Sequence, residues 1–307
     1  MKIVKDKSLI THEHAILVSF LVDISDVVIN VIVVMLSGSV TMLSQALQGA
    51  VDLLASGFLY VGSKRAKRVA DKMHPFGYGR ELYLWIFLSG MVMFGVTSTL
   101  SFYWGYIRFI NPQPITNIIF AFGALILSLF TNGYAFMLSL KRLQKDKPNA
   151  DIFDLFFRSS LIATRTTLLL DFMGTLASVY GLLALAVYSV TGNYRYDGVG
   201  AMLVGVTLAF FAFFILKDVK NFLIGKSVPF ELLNDIANCI RSFPEVNSII
   251  DLKATYIGVE KLFVISDINI KDGLNTNSIE RLIEDIENNI KHKIPQSAYI
   301  HIEPKSG

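Results

Sequence analysis

The amino-acid sequence predicts an α-helical membrane protein, with six transmembrane helices followed by a small α+β ferredoxin-like domain. Three observations point there. Only 17% of the 307 residues are charged and 53% are hydrophobic, whereas a soluble domain carries about 25% charged residues. The charges gather at the ends and in short clusters, separated by apolar runs of about 20 residues, long enough to cross a ~30 Å hydrocarbon core at ~1.5 Å per residue. From Val228 onward the long runs give way to short segments of helical and strand period. A large soluble enzyme is disfavoured, because buried helices rarely run so long and so evenly.

The spans fall at 14–36, 40–63, 82–106, 116–140, 158–189 and 198–222. The first is interrupted by Asp23 and Asp26 and lacks a small-residue cleavage site, so it is expected to remain as a helix. Lys64, Arg65, Lys67, Arg68, Lys72 and Arg80 follow the second span, Lys141, Arg142, Lys145 and Lys147 the fourth, and Lys217, Lys220 and Lys226 the sixth. Lys2, Lys5 and Lys7 precede the first. Near the opposite connections stand only Arg108 and Arg195. The positive-inside rule therefore places both termini in the cytoplasm. The same distribution explains a pI of 8.8 without nucleic acid as a partner, since the basic residues flank apolar spans.

The tail begins with an amphipathic helix over Pro229–Phe243, where Leu232, Ile236 and Ile240 recur every four residues. Strands are predicted at Val246–Tyr256 and Lys261–Ile270, with a turn at Gly258. A second helix over Asn275–Lys291 carries Ile279, Leu282, Ile283, Ile286 and Ile290 on one face, and a last strand covers Tyr299–Glu303. The order αββαβ suggests a small sheet with helices on one face. The expected domains are thus 1–225, the six-helix membrane domain, and 226–307, a cytoplasmic ferredoxin-like dimerisation domain. So small a domain gains from docking on a second copy. Cys239 is the single cysteine, which excludes an intramolecular disulfide and a cysteine-based zinc cluster.

Four carboxylates lie inside the spans, Asp23, Asp26, Asp52 and Asp171. Each costs about 2.5–3.5 kcal/mol at a helix centre on insertion scales, so an intramembrane acid is a functional hypothesis by default. Asp23 and Asp26 either serve function or sit near a span end and reach water. Gln48 and Asp52 are four apart and share a helix face, and Thr167 and Asp171 repeat that spacing on the fifth span. Facing one another, the two helices would enclose a cation, the two carboxylates balancing a divalent charge. In membrane helices Gln and Thr otherwise serve as helix–helix glue.

The run Ser37-Gly38-Ser39-Val40 through Leu47-Gln48-Gly49-Ala50-Val51-Asp52 resembles the second helix of the cation diffusion facilitator family and the turn before it. His74-Pro75-Phe76-Gly77-Tyr78-Gly79-Arg80-Glu81 resembles that family's signature between its second and third helices. Asp251-Leu252-Lys253 and His301-Ile302-Glu303-Pro304 resemble landmarks of its cytoplasmic domain. The resemblance covers nearly the whole chain. It implies a homodimeric exporter of divalent metal ions in a bilayer, working by cation/proton antiport, with no cofactor beyond the metal substrate. It places the transport site at Gln48, Asp52, Thr167 and Asp171, where zinc-type members carry His or Asp in place of Gln48 and Thr167.

Zinc favours a tetrahedral set containing imidazole or thiolate. Two carboxylates, an amide and a hydroxyl suit Mn²⁺, Mg²⁺ or Fe²⁺ better. Asp71 and His74 match a second metal site of some members, with Tyr78 where a histidine is frequent, and His74 also reads as a structural loop residue. In the tail His301 and Glu303 match ligand positions, while Ile250 and Asp267 replace two histidines, leaving Asp267, His301 and Glu303 as a candidate single-ion site. Asp23 is a candidate proton or ion relay. The competing class is a transport-inactive relative that senses metal or binds a partner. No nucleophile–base pair, phosphate loop or two-His helix motif supports an enzyme. The expected location is a bacterial plasma membrane.

Overall fold

The structure, a computed structural model, describes residues 23–144, 162–258 and 261–305. The predicted beginnings of the first and fifth spans, and Lys145 and Lys147 after the fourth, lie outside these residues. The described chain divides into two compact units, one drawn from 23–60, 85–144 and 162–218, the other from 61–84, 219–258 and 261–305.

The first unit is helical. Residues 23–37 form α1, and Gly38, with a φ of +63°, makes the left-handed turn into α2, Val40–Ala66. α3 runs Glu81–Ile110 with one π-helical stretch at Met93–Ser98. α4 is Ile118–Gln144, α5 Ile162–Thr191 and α6 Arg195–Leu223. Among the described residues, four helices are long and apolar enough to cross a membrane: Glu81–Ile110, and segments of α4, α5 and α6. α2 has the length, at 27 residues, but its face of Ser44, Gln45, Gln48, Asp52 and Ser56 lowers its apolarity. Phe130 and Val190 are 72% and 87% exposed, an outward face suited to lipid rather than water.

Inside, Val33, Met42, Ile115, Ala124, Leu125 and Leu185 form one core where α1, α2, α4 and α5 meet. α3 and α6 approach backbone to backbone at glycines. A Cβ on Gly198 would lie 2.5 Å from the Gly105 carbonyl oxygen, and one on Gly205 would lie 2.7 Å from the Phe102 nitrogen. Close small-residue packing of this kind is the usual source of helix association in lipid.

The second unit contains a three-stranded sheet. α7 is Phe230–Arg241, β1 Val246–Gly258, β2 Lys261–Ile270, α8 Thr276–Lys293 and β3 Ser297–Lys305. The order is β1-β2-β3, antiparallel then parallel, and the predicted αββαβ succession is present. Leu262, Val264 and Ile268 alternate onto the buried side of β2, which Ile236, Ile240, Leu282, Ile286 and Ile290 of the two helices fill. Asn275 caps α8, its side chain accepting from the Ser278 N–H at 2.9 Å. The segment between α2 and α3 belongs to this unit. Phe76 packs its ring on Phe263 and Tyr299 at centroid distances of 5.4 and 5.3 Å. Gly79 meets Gly258 so closely that a Cβ would fall 2.6 Å from the Gly258 Cα, and Tyr83 donates its hydroxyl to the Gly258 carbonyl at 2.9 Å.

Candidate metal centre

Asp52 is the hub of the helical unit. It shares a side-chain hydrogen bond with Gln48, one turn earlier on α2, and interacts electrostatically with Asp23, Asp171 and Asp26. Sequence spacing alone brings Gln48 to Asp52. The tertiary fold brings Asp171 from α5 and both acids of α1. Gln48 is 2% exposed and its Oε1 accepts no hydrogen bond, an oxygen available to a cation.

The other carboxylates are held by hydroxyls. Ser139 of α4 donates to Asp171 Oδ2 at 2.5 Å, Ser56 of α2 donates to Asp23 Oδ2 at 3.2 Å, and Ser128 of α4 donates to Asp26 Oδ1 at 2.8 Å. Asn30 Nδ2 donates to Asp26 Oδ2 at 2.9 Å. Gly49 permits this approach of α1 to α2, since a Cβ there would stand 3.1 Å from Val27 Cγ2 and 3.4 Å from Asp26 Oδ2. Gly174 likewise admits Asn132 of α4 against α5, where a Cβ would fall 2.7 Å from Asn132 Oδ1. Sequence reasoning missed the α4 contribution. Its signal is present all the same: Ser128, Asn132 and Ser139 stand four and seven residues apart in an apolar helix, on one face.

A further device positions α2. Asp197, fully buried on α6, accepts from the Ser39 hydroxyl at 2.6 Å and from the Val40 and Thr41 N–H groups at 2.8 and 3.0 Å. Thr41 returns its hydroxyl to the Asp197 carbonyl at 2.7 Å. A carboxylate from another helix thus satisfies the first N–H groups of α2, where the helix dipole favours negative charge. Arg108 Nε stands 3.6 Å away, balancing the charge. Arg108 also donates to the carbonyls of Gly38 and Gln113. Nothing in the spacing of the sequence pairs Asp197 with residue 40, so this contact is a product of the fold.

The candidate secondary sites look different. Asp71 Oδ1 accepts from the Met73 and His74 N–H groups at 2.9 and 2.8 Å, and Tyr78 donates its hydroxyl to Oδ2 at 2.7 Å. The Tyr78 bond, with those of the backbone, holds the Asp71 carboxyl below the usual carboxylate range. His74 Nδ1 lies 3.6 Å from Asp71 Oδ1, and its ring stacks on Tyr78 at 4.1 Å. Both Asp71 oxygens therefore organise the turn. In the sheet, Asp267 stands opposite Asp251 on one side and Glu303 on the other, with His301 two positions before Glu303 along β3, opposite Ile265. Lys305 Nζ lies 2.5 Å from Asp267 Oδ2 and 4.0 Å from Glu303 Oε2, and Lys253 pairs with Asp251. Asp267 raises the Lys305 ammonium above its ordinary value. Two lysines thus lie where a metal would need to enter. Among the described residues, no three His, Cys, Asp or Glu side chains are gathered tightly enough to hold a metal ion by themselves.

Comparison with known proteins covers nearly the full chain. Residues 16–224 match the cation efflux transmembrane domain, and residues 228–305 match the cation efflux protein cytoplasmic domain. The chain is 28% identical to a mitochondrial proton-coupled zinc antiporter, SLC30A9, of Xenopus laevis over 244 residues, covering 79% of this chain and 44% of that protein. It therefore spans less than half the length of that relative. It is 22% identical to the magnetosome protein MamB of Magnetospirillum gryphiswaldense over 291 residues, covering 94% and 92% of the two chains. A solved MamM CTD variant in its cadmium form is 18% identical over 25% of this chain and 96% of its own, with a TM-score of 0.24.

Proposed function

Because the chain belongs to the cation efflux family, we propose that it exports a divalent metal cation from the cytoplasm through the site formed by Gln48, Asp52, Thr167 and Asp171. The observation that carries this reading is the convergence of α2 and α5. Each brings a carboxylate with a neutral oxygen one turn before it, and Asp52 lies within electrostatic reach of Asp171. Two negative charges balance a divalent ion and remove most of the cost of burying them.

Transport proceeds by alternating access, the helix bundles rocking around a fixed midplane site. The exchange is antiport against protons, with Asp52 and Asp171 as the exchanging groups and Asp23 as a relay. Similarity to a proton-coupled zinc antiporter supports efflux and antiport. The ligand types, amide and hydroxyl where zinc would want imidazole, support a harder ion, Mn²⁺, Mg²⁺ or Fe²⁺. Residues 1–225 form the transport domain and 226–307 the cytoplasmic dimerisation domain of a homodimer, with both termini cytoplasmic in a plasma membrane. Asp71 and His74 shape the loop, and Lys305 holds Asp267 and Glu303 without metal.

Metal-driven flux into proteoliposomes tests the reading, comparing Mn²⁺, Mg²⁺, Fe²⁺, Co²⁺ and Zn²⁺. Uptake of a hard ion that Asp52→Ala and Asp171→Ala both abolish is the expected result. Zinc moving fastest would overturn the oxygen-ligand argument. No flux from folded, dimeric protein would favour the transport-inactive reading, a membrane protein that senses metal or binds a partner.

A further inference from the structure

The transport-site hypothesis leaves Asp26 unused, although both of its carboxylate oxygens are engaged. Its two oxygens accept from Ser128 Oγ at 2.8 Å and from Asn30 Nδ2 at 2.9 Å. Those donors come from α4 and from the next turn of α1 itself. Asn30 is fully buried, yet its own Oδ1 has no hydrogen-bond partner. A buried amide with one end bonded and the other bare is an unusual arrangement in a native protein. The bare oxygen belongs to the same planar group that already faces Asp26, so turning that amide over would exchange its N–H for an oxygen at the carboxylate.

We propose that Asp26, Asn30 and Ser128 form a second cation site, distinct from the Gln48–Asp52–Thr167–Asp171 site, that takes a monovalent cation. The charge argument is direct. One carboxylate with two neutral oxygens balances a single positive charge, whereas the paired aspartates of α2 and α5 balance two. Without the cation, the Asn30 N–H and the Ser128 hydroxyl both stabilise the carboxylate. With it, Asn30 Oδ1, Ser128 Oγ and the carboxylate present three oxygens to a sodium ion, or Asn30 Oδ1 accepts from a protonated Asp26. In both states Asn30 and Ser128 face the carboxylate, and the two states differ by one charge and one amide rotation. Protons and sodium ions share this chemistry, and intramembrane acids of transporters serve both.

The titratable neighbours tie this site to the metal site. Asp26 interacts electrostatically with Asp23 on its own helix and with Asp52 on α2, while its partner on α4 is the neutral Ser128. A positive charge held at Asp26 lowers the negative potential at Asp52 and so weakens a divalent ion there. Loss of that charge has the opposite effect. Such reciprocity is what coupling of two cations requires. This coupling rests on the transport reading, but the binding at Asp26 does not.

The full-length protein in lipid nanodiscs gives a test in two parts. Binding of radioactive Na⁺ at alkaline pH, without divalent metal, is measured for the native chain and for Asp26→Asn, Asn30→Leu and Ser128→Ala. If the site takes sodium, the native chain saturates, Asp26→Asn loses affinity at least tenfold, and the two milder variants lose severalfold. If it takes protons, sodium does not bind, and an infrared carbonyl band of a protonated carboxylic acid disappears in Asp26→Asn. Neither signal, or a signal that survives Asp26→Asn, overturns the proposal. In proteoliposomes, Asp26→Asn is expected to keep metal-for-metal exchange while losing gradient-driven accumulation tenfold. Full accumulation by that variant also overturns it. Absence of metal exchange in the native protein would sink the transport reading alone, because the nanodisc measurements stand without it.

Discussion

The helical unit and the sheet unit both collect carboxylates, and they treat them in opposite ways. In the membrane helices Asp23, Asp26 and Asp171 accept from serine hydroxyls and an amide. On the sheet, Asp251 and Asp267 are closed by the ammonium groups of Lys253 and Lys305. A hydroxyl orients a carboxylate and leaves its charge in place, whereas an ammonium cancels it. The first arrangement keeps an electrostatic demand for a mobile cation in a medium where charge is costly. The second meets that demand from within the chain. The helical unit also contains the second type, at Asp197 with Arg108 and at Asp218 with Arg165. Those pairs mark acids whose task is to hold helices.

Substitutions sharpen the contrast, and the largest effect belongs to the hub. Asp52→Asn and Asp171→Asn keep volume and hydrogen bonding but remove charge. Each is expected to lower metal flux at least a hundredfold with little change in thermal stability, read by liposome uptake and by melting in detergent. Asp197→Ala should do the reverse. Removing one partner of a buried ion pair costs about 3–5 kcal/mol, so the melting temperature drops sharply, while Asp197→Asn recovers part of the loss by keeping the cap on α2. An Asp197→Ala protein as stable as the native one would break the distinction between holding acids and binding acids.

A third change converts one class into the other. Lys305→Met frees Asp267 and Glu303 beside His301, and the full-length variant is expected to bind Zn²⁺ or Mn²⁺ in calorimetry where the native tail does not. Because the lysine pair is solvent-exposed, its stability should barely move. The smallest effect is at Asp71. Tyr78 and the loop N–H groups hold its folded-state value below the unfolded one. Its stabilising contribution is therefore present above the usual carboxylate range and fades as pH falls through the folded value. Tyr78→Phe should bring the Asp71 titration, followed by carboxyl NMR shifts, back toward the ordinary range.

Much of this was legible beforehand. The period-two alternation of Lys261–Ile270 marked β2 to the residue, because a strand with one buried face must alternate. The helix over Asn275–Lys291 came out as Thr276–Lys293 with Asn275 outside as its cap, and the last strand extends two residues beyond Tyr299–Glu303 at each end. Short strands and helix ends are set by partners rather than by local pattern. The i, i+4 pairs Gln48–Asp52 and Thr167–Asp171 could be read because helix geometry alone places such residues on one face.

What the sequence determined by itself was whatever depends on local period, composition or the cost of charge in lipid. That includes the helical unit, the αββαβ tail and the intramembrane acids as candidate site residues. What only the tertiary structure decided was the partner of each charge. Ser128 with Asp26, Ser139 with Asp171 and Asp197 with the start of α2 join residues 102, 32 and about 157 positions apart. No periodicity spans such distances. The helices must first pack, through close approaches such as Gly49 beside Val27 and Gly174 beside Asn132, before an acid acquires either a hydroxyl that leaves its charge in place or a cation that ends it.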